Sequence, residues 1–186
     1  MPAPRVLLAL AAAALVALAL SLGISAAQES GPAPQVGYAE WVEHPSDVGD
    51  LEQGATAVVE AEVTAVEPGP ALVDPADGTD PDEAIPTQRI GFSTIQVLDG
   101  QAPQSFKLFK TGSEELYLRN DPFYRTGERY VLFIRPREGE PGTYLPVAPD
   151  GRLRVQDGEA QAFINTPPAN QLDGLTPQQI DAEISG

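Results

Sequence analysis

Apolar and polar residues alternate most regularly in "ATAVVEAEVTAV", residues 55 to 66. Ala57, Val59, Ala61, Val63 and Ala65 fall on one side of an extended chain, and Val58, Glu60, Glu62 and Thr64 on the other. That period of two predicts a half-buried strand, and its small inner residues predict close approach of another layer. The period returns in "RIGFSTIQVLDG", residues 89 to 100, where Ile90, Phe92 and Thr94 oppose Gly91, Ser93 and Ile95. Asp99-Gly100 then supplies a turn. "QSFKLFKTG" reads as a short strand with Phe106 and Leu108 inward and Lys107 outward. The strongest strand is "GERYVLFIRPREG", residues 127 to 139. Tyr130, Leu132 and Ile134 form its core face; Arg129, Val131, Phe133 and Arg135 share the other; Pro136 ends it at a sheet edge.

Shorter strands follow in "TYLPVA", "RLRVQ" and "EAQAFI", separated by a Pro-Asp-Gly turn at 149 to 151 and an Asp-Gly turn at 157 and 158. "SEELYLRNDPFYRTG" is irregular, with a turn at Asn120-Asp121-Pro122. Residues 67 to 88 carry five prolines and two glycines among many acids, and read as a long acidic loop. Near the start, Ser46 and Asp47 precede Val48 and Leu51 and are placed to cap a short helical turn, which Gly49 weakens. A Pro-rich crossing, "NTPPANQLDG", leads to a last helix with Thr176 as N-cap, Pro177 at its first position and Gln179 at capping-box spacing. Leu175, Ile180 and Ile184 give that helix one apolar side.

The first 27 residues stand apart from this pattern. Arg5 is followed by an apolar run from Val6 to Leu22 and then by small residues at Ser25 and Ala27, the layout of a secretory signal peptide cut between Ala27 and Gln28. The alternative is an uncleaved membrane anchor, because about 17 apolar residues is the short edge of what spans a bilayer. The expected organisation is signal 1–27, flexible linker 28–37, a barrel domain 38–165 that includes the acidic loop 67–88, and a crossing with a C-terminal helix over 166–186. The chain carries no cysteine, which excludes disulfides, a lipidated cysteine and thiolate metal sites.

Charge narrows the partners. The chain holds 27 acidic and 11 basic residues, a formal net charge of −16 that would repel phosphate backbones and anionic lipid surfaces. Nucleic acid is therefore excluded as a partner, and after signal cleavage so is a membrane. From Gln28 to Gln88 there are 14 acids and not one lysine or arginine; from Arg89 onward 13 acids face 10 bases. Three explanations are open: solubility, internal pairing between the halves, or a functional electrostatic surface.

Short strands at close spacing with one terminal helix predict a mainly β protein, a small antiparallel OB-like barrel of five to six strands. The order of signals resembles the OB-like barrel of the netrin-like family, which includes the tissue inhibitors of metalloproteinases. "GATAVVEAEVTAV", "IGFSTIQVLDGQAPQSFKLFKTGS" and "TGERYVLFIRPREGEPGTYLPVA" carry the resemblance, and Gly127, Tyr130 and Phe133 fill the family's "G-x-x-Y-x-x-F" strand pattern. The likeness runs from Gly54 to Ile164 and implies fold rather than chemistry. Those inhibitors bind the protease zinc through an N-terminal cysteine, and a chain without cysteine cannot inherit that mechanism.

Candidate chemistry is sparse. His44, the single histidine, sits in "EHPSD" beside Ser46 and Asp47 and reads as a turn residue before a proline rather than a catalytic base. Asp74, Asp77, Asp80, Asp82 and Glu83 offer hard oxygens for calcium, but their spacing departs from an EF-hand loop, and a solvated acidic loop is the favoured reading. Plentiful acids leave paired carboxylates for glycoside hydrolysis open. Arg129, Arg135, Arg152 and Arg154 are the candidate anion-binding face: if their strands are neighbours, four guanidiniums line one side of the barrel. The competing reading pairs them with strand-borne acids such as Glu60 and Glu62. Together these features predict a secreted or periplasmic binding module without catalysis, cofactor or metal, acting on an extracellular or envelope protein or a small ligand. The alternatives are an inhibitor of an extracellular hydrolase acting through a loop edge, and a hydrolase.

Overall fold

The computed structural model describes residues 35–37, 45–72, 84–113, 116–118, 121 and 123–185. The signal segment with its cut at Ala27 and Gln28, His44, and the acids from Asp74 to Glu83 lie outside the described residues.

Among the described residues, nine strands and three α-helices follow in chain order: β1 (Gln35–Gly37), α1 (Val48–Gly54), β2 (Ala57–Leu72), β3 (Ile85–Gly100), β4 (Ser105–Thr111), β5 (Leu116–Leu118), β6 (Arg129–Pro136), β7 (Thr143–Pro146), β8 (Arg152–Gln156), β9 (Glu159–Ala162), α2 (Pro167–Leu172) and α3 (Pro177–Ile184). The main sheet runs β2-β3-β4-β7-β6-β8-β9, and β2 also pairs with β6, so β2, β3, β4, β7 and β6 close into a ring. The fold is mainly β, a small barrel-like ring of five strands with short C-terminal helices. Every pairing in the ring is antiparallel except β4 with β7, which is parallel. The β8–β9 hairpin continues the sheet from the first half of β6, along the edge whose second half pairs with β7.

The barrel interior is built as the alternation predicts. Ala57, Val59, Ala61 and Val63 of β2 meet Ile90 and Phe92, Phe106 and Leu108, and Tyr130, Leu132 and Ile134, all buried. The small side chains of β2 leave room for large rings: Phe92 stacks on Phe106 at 5.3 Å, and Tyr124 lies 4.8 Å from Tyr130. Aromatic pairs at these separations add to the hydrophobic gain from burying them.

A second apolar layer covers the outside of β6, which the period of two had left open. Val131 and Phe133 are fully buried against Val58, Val48 and Leu51 of α1, Leu172 of α2, and Ile180 and Ile184 of α3. The strand is therefore sandwiched, and its continuous apolar run reflects two buried faces. The caps that orient the helices are as expected. Asp47 accepts from the Asp50 amide at 2.9 Å, and Thr176 and Gln179 form a reciprocal capping box. Ser46 bonds Asp50 through both its amide and its hydroxyl, the hydroxyl first among the causes that hold the Asp50 carboxyl below its usual range.

Three expectations are corrected. The loop expected over 67–88 is strand at both ends, since β2 runs to Leu72 and β3 starts at Ile85. Pro68 and Gly69 pair with Gln88 and Thr87 on one edge only, and a proline is tolerated where the other edge needs no donor. The Pro-rich crossing contains α2, because Pro167 and Pro168 sit in a first turn, where a missing N–H is harmless. The linker 28–37 includes β1, which pairs in parallel with β5, a strand in the segment read as irregular. Strands of three residues carry no readable period.

Candidate functional site

The register decides what the four arginines can do. Arg152 and Arg154 stand opposite Leu132 and Tyr130, so they share the face that looks into the barrel. Arg129 and Arg135 belong to the opposite face, that of Val131 and Phe133. A single line of four guanidiniums is therefore not formed: adjoining strands do place them close, but their pairing puts them on opposite faces. Arg129 is ion-paired with the buried carboxylate of Glu60, and the half-buried Arg135 also has an interaction partner. Pairing between the acidic and mixed halves is thus real, in Arg129 with Glu60 and in Lys107 with Glu67.

Two of the four, Arg129 and Arg154, nevertheless line one groove at the rim. Gly127, Glu128, Arg129, Arg154, Val155, Gln156 and Asp157 line an open groove of about 360 Å³ where β6 begins and β8 turns into β9. The Asp157-Gly158 turn, with φ of 54° and 90°, forms one wall. On the other wall, Glu128 accepts from the Tyr130 hydroxyl at 2.7 Å and from the Arg125 amide at 3.1 Å. Burial, and then that bond, raise the Tyr130 phenol above its usual range. Arg154 is held more loosely. Its guanidinium reaches Gln161 at 3.3 Å, Gln156 at 3.4 Å and Glu128 at 3.8 Å, and its Nε is buried with no acceptor.

Arg152 belongs instead to an interior cluster that the sequence reading missed. Its guanidinium is ion-paired with Asp121, whose other carboxylate oxygen takes Lys110 Nζ at 3.0 Å. Lys110, Asp121, Arg152 and Tyr124 are all buried. Burial pulls Lys110 below its usual range, partly opposed by Asp121. Burial also pushes the Tyr124 phenol up to about 12. For Arg152, burial acts downward but the Asp121 carboxylate and Tyr124 outweigh it, so the guanidinium stays charged. The signal was present in β4, where the alternation that sends Phe106 and Leu108 inward sends Lys110 inward too. Asp121 had no comparable signal, because it lies outside the strands, where no period operates.

The cluster ties three separate parts of the chain together: β4, the connection before β6, and β8. Asp121 joins two buried cations, Lys110 and Arg152, as a structural tie.

Among the described residues, no three acids or histidines converge on a metal-binding geometry, and no helix is long and apolar enough to cross a membrane. Compared with protein-family models, with curated proteins and with solved structures, the chain matches none.

Proposed function

We propose that this chain is an exported, non-catalytic binding module that receives the carboxylate of a small ligand in the groove at the β6–β8 rim. The observation that carries this reading is the state of Arg154. Its side chain is 38% exposed, and its contacts lie between 3.3 and 3.8 Å, longer than the usual 2.7–3.2 Å of a good N–H···O bond. An incoming carboxylate gains planar, charge-assisted donors there without displacing a strong internal bond. Arg129 also lines the groove, its guanidinium already paired with Glu60. The netrin-like character of the barrel belongs to the same proposal; the five-strand ring and the placement of Tyr130 and Phe133 on β6 support it. The inhibitor and hydrolase alternatives draw no comparable support from the described residues.

Isothermal titration of residues 28–186 with succinate, citrate and glutamate, at ionic strength matched with sodium chloride, tests the groove. Saturable binding to at least one of them, weakened tenfold or more by Arg154→Gln with an unchanged circular dichroism spectrum, is the expected result. No saturable binding, or binding indifferent to Arg154→Gln, overturns it. Export is tested separately by N-terminal sequencing of the chain recovered outside the cytoplasm, which should begin at Gln28.

A further inference from the structure

At the other end of β6, roughly 26 Å away at about 3.3 Å per residue over the eight steps from Arg129 to Arg137, a second cation cluster lies on the outer surface. Arg89 of β3 stands beside Phe109 of β4, its register partner, and its guanidinium carbon is 4.9 Å from the Phe109 ring centre. Arg137, which follows β6 directly, places its own guanidinium carbon 3.8 Å from the same ring. One carboxylate joins the two: Glu140 Oε2 takes Arg89 Nη2 at 2.7 Å, and Oε1 takes Arg137 Nη1 at 2.5 Å.

Three details distinguish this arrangement from a plain surface ion pair. Glu140 is its outermost member, with a side chain 34% exposed against 14% for Arg89 and 23% for Arg137. Arg89 uses only one arm on Glu140, and its Nη1 is buried with no acceptor. Lys107, on the same face of β4 as Phe109, is held to Glu67 only at 3.6 Å. Three of the chain's 11 lysines and arginines thus gather on one patch, outnumbering the two acids that reach them, in a protein of net charge −16.

We propose that Arg89, Phe109 and Arg137 form a receptor for the C-terminal carboxylate of a peptide partner, and that Glu140 is an internal surrogate that occupies it until the partner arrives. Two guanidiniums over one aromatic ring present planar donors that match a carboxylate, and Glu140 demonstrates the fit. A free carboxylate can take the place of Glu140 on Arg89 Nη2 and Arg137 Nη1, the two nitrogens the surrogate occupies. All three side chains keep some solvent exposure, so an incoming carboxylate can exchange with the surrogate. A single terminal carboxylate is favoured over an acidic tract because the chain's overall charge repels a polyanion. The loop bearing Glu140 does not depend on that carboxylate. It is closed by the Arg137 amide on Thr143 at 2.8 Å, with Gly139 and Gly142 at φ of 77° and 76° supplying its left-handed turns.

The site is separate from the rim groove, and its test reads different residues. The probe is a fluorescein-labelled tetrapeptide, glycyl-seryl-valyl-phenylalanine, compared with its C-terminal amide by fluorescence anisotropy. A tethered surrogate competes at an effective concentration in the millimolar range, so Glu140→Gln should bind the free acid at least tenfold more tightly than the unsubstituted chain. The amide should bind neither. Adding Arg89→Gln or Arg137→Gln to Glu140→Gln should abolish the gain, with thermal melts showing which variants remain folded. Equal affinity in Glu140→Gln and the unsubstituted chain overturns the proposal, as does equal binding of acid and amide, or a gain that survives loss of either arginine. Preferential capture of a tri-aspartate amide by Glu140→Gln would reassign the ligand and also refute the C-terminal reading.

Discussion

Replacing Asp121 with asparagine removes one charge and almost no volume, yet it leaves two buried cations facing each other. Lys110 and Arg152 are only 4% and 2% exposed. Breaking a buried ion pair by removing one partner costs about 3–5 kcal/mol. The cluster's own chemistry sets a similar limit, because Lys110 can escape the repulsion by shedding its proton. From an ordinary lysine value of 10.5, neutralisation at pH 7 costs about 5 kcal/mol, at 1.36 kcal/mol per pH unit. Domain stabilities lie at about 5–15 kcal/mol, so Asp121→Asn should remove a large share of the total. The pH dependence is diagnostic. A lysine neutral in the folded state binds fewer protons than in the unfolded state, so the stability of the variant should rise as pH increases from 7 towards 10. Lys110→Met is the control: Asp121 still answers Arg152, and the change should stay within about 1 kcal/mol of neutral. Urea titration followed by circular dichroism measures all three chains. A cost below about 1 kcal/mol for Asp121→Asn with no pH slope would show that the cluster is solvated and that the accounting above is wrong.

Two further outcomes follow from the packing. Phe133→Ala should cost about 3–5 kcal/mol by urea titration, because the helices bury that side chain completely; a cost near that of an exposed site would mean the outer layer does not hold. The phenol of Tyr124 is raised from 10.0 to about 12. The folded state therefore keeps a proton the unfolded state gives up, and the associated stability is full below pH 10 and lost as pH rises to about 12. Ultraviolet titration of tyrosinate in Tyr124→Phe against the parent chain should lose the late-ionising step in that window.

Much of the barrel was legible because its strands obey a period of two. Ala57 to Val63, Phe106 with Leu108, and Tyr130 with Leu132 and Ile134 all fall inward as the alternation indicates. Caps were equally legible, since Asp47 and Thr176 each act on an amide three residues away. Illegible were the second buried face of β6, the ends of the β2–β3 hairpin, and every site whose members are brought together by register. Arg89, Arg137 and Glu140 are joined only because β3 and the loop after β6 meet across β4.

The alternating strands, the capped helices, the acidic balance and the freedom from disulfides were properties of the amino-acid order alone, because each depends on neighbours within a few residues or on composition. Which arginines remain available depended on strand pairing. In "GERYVLFIRPREG", Arg129 is taken by Glu60 and both faces of the strand are covered, while Arg154, on the next strand, keeps a loosely held guanidinium at the rim. A one-residue change in register would exchange those roles, and register is set by the packing of distant strands rather than by the residues that carry the charge.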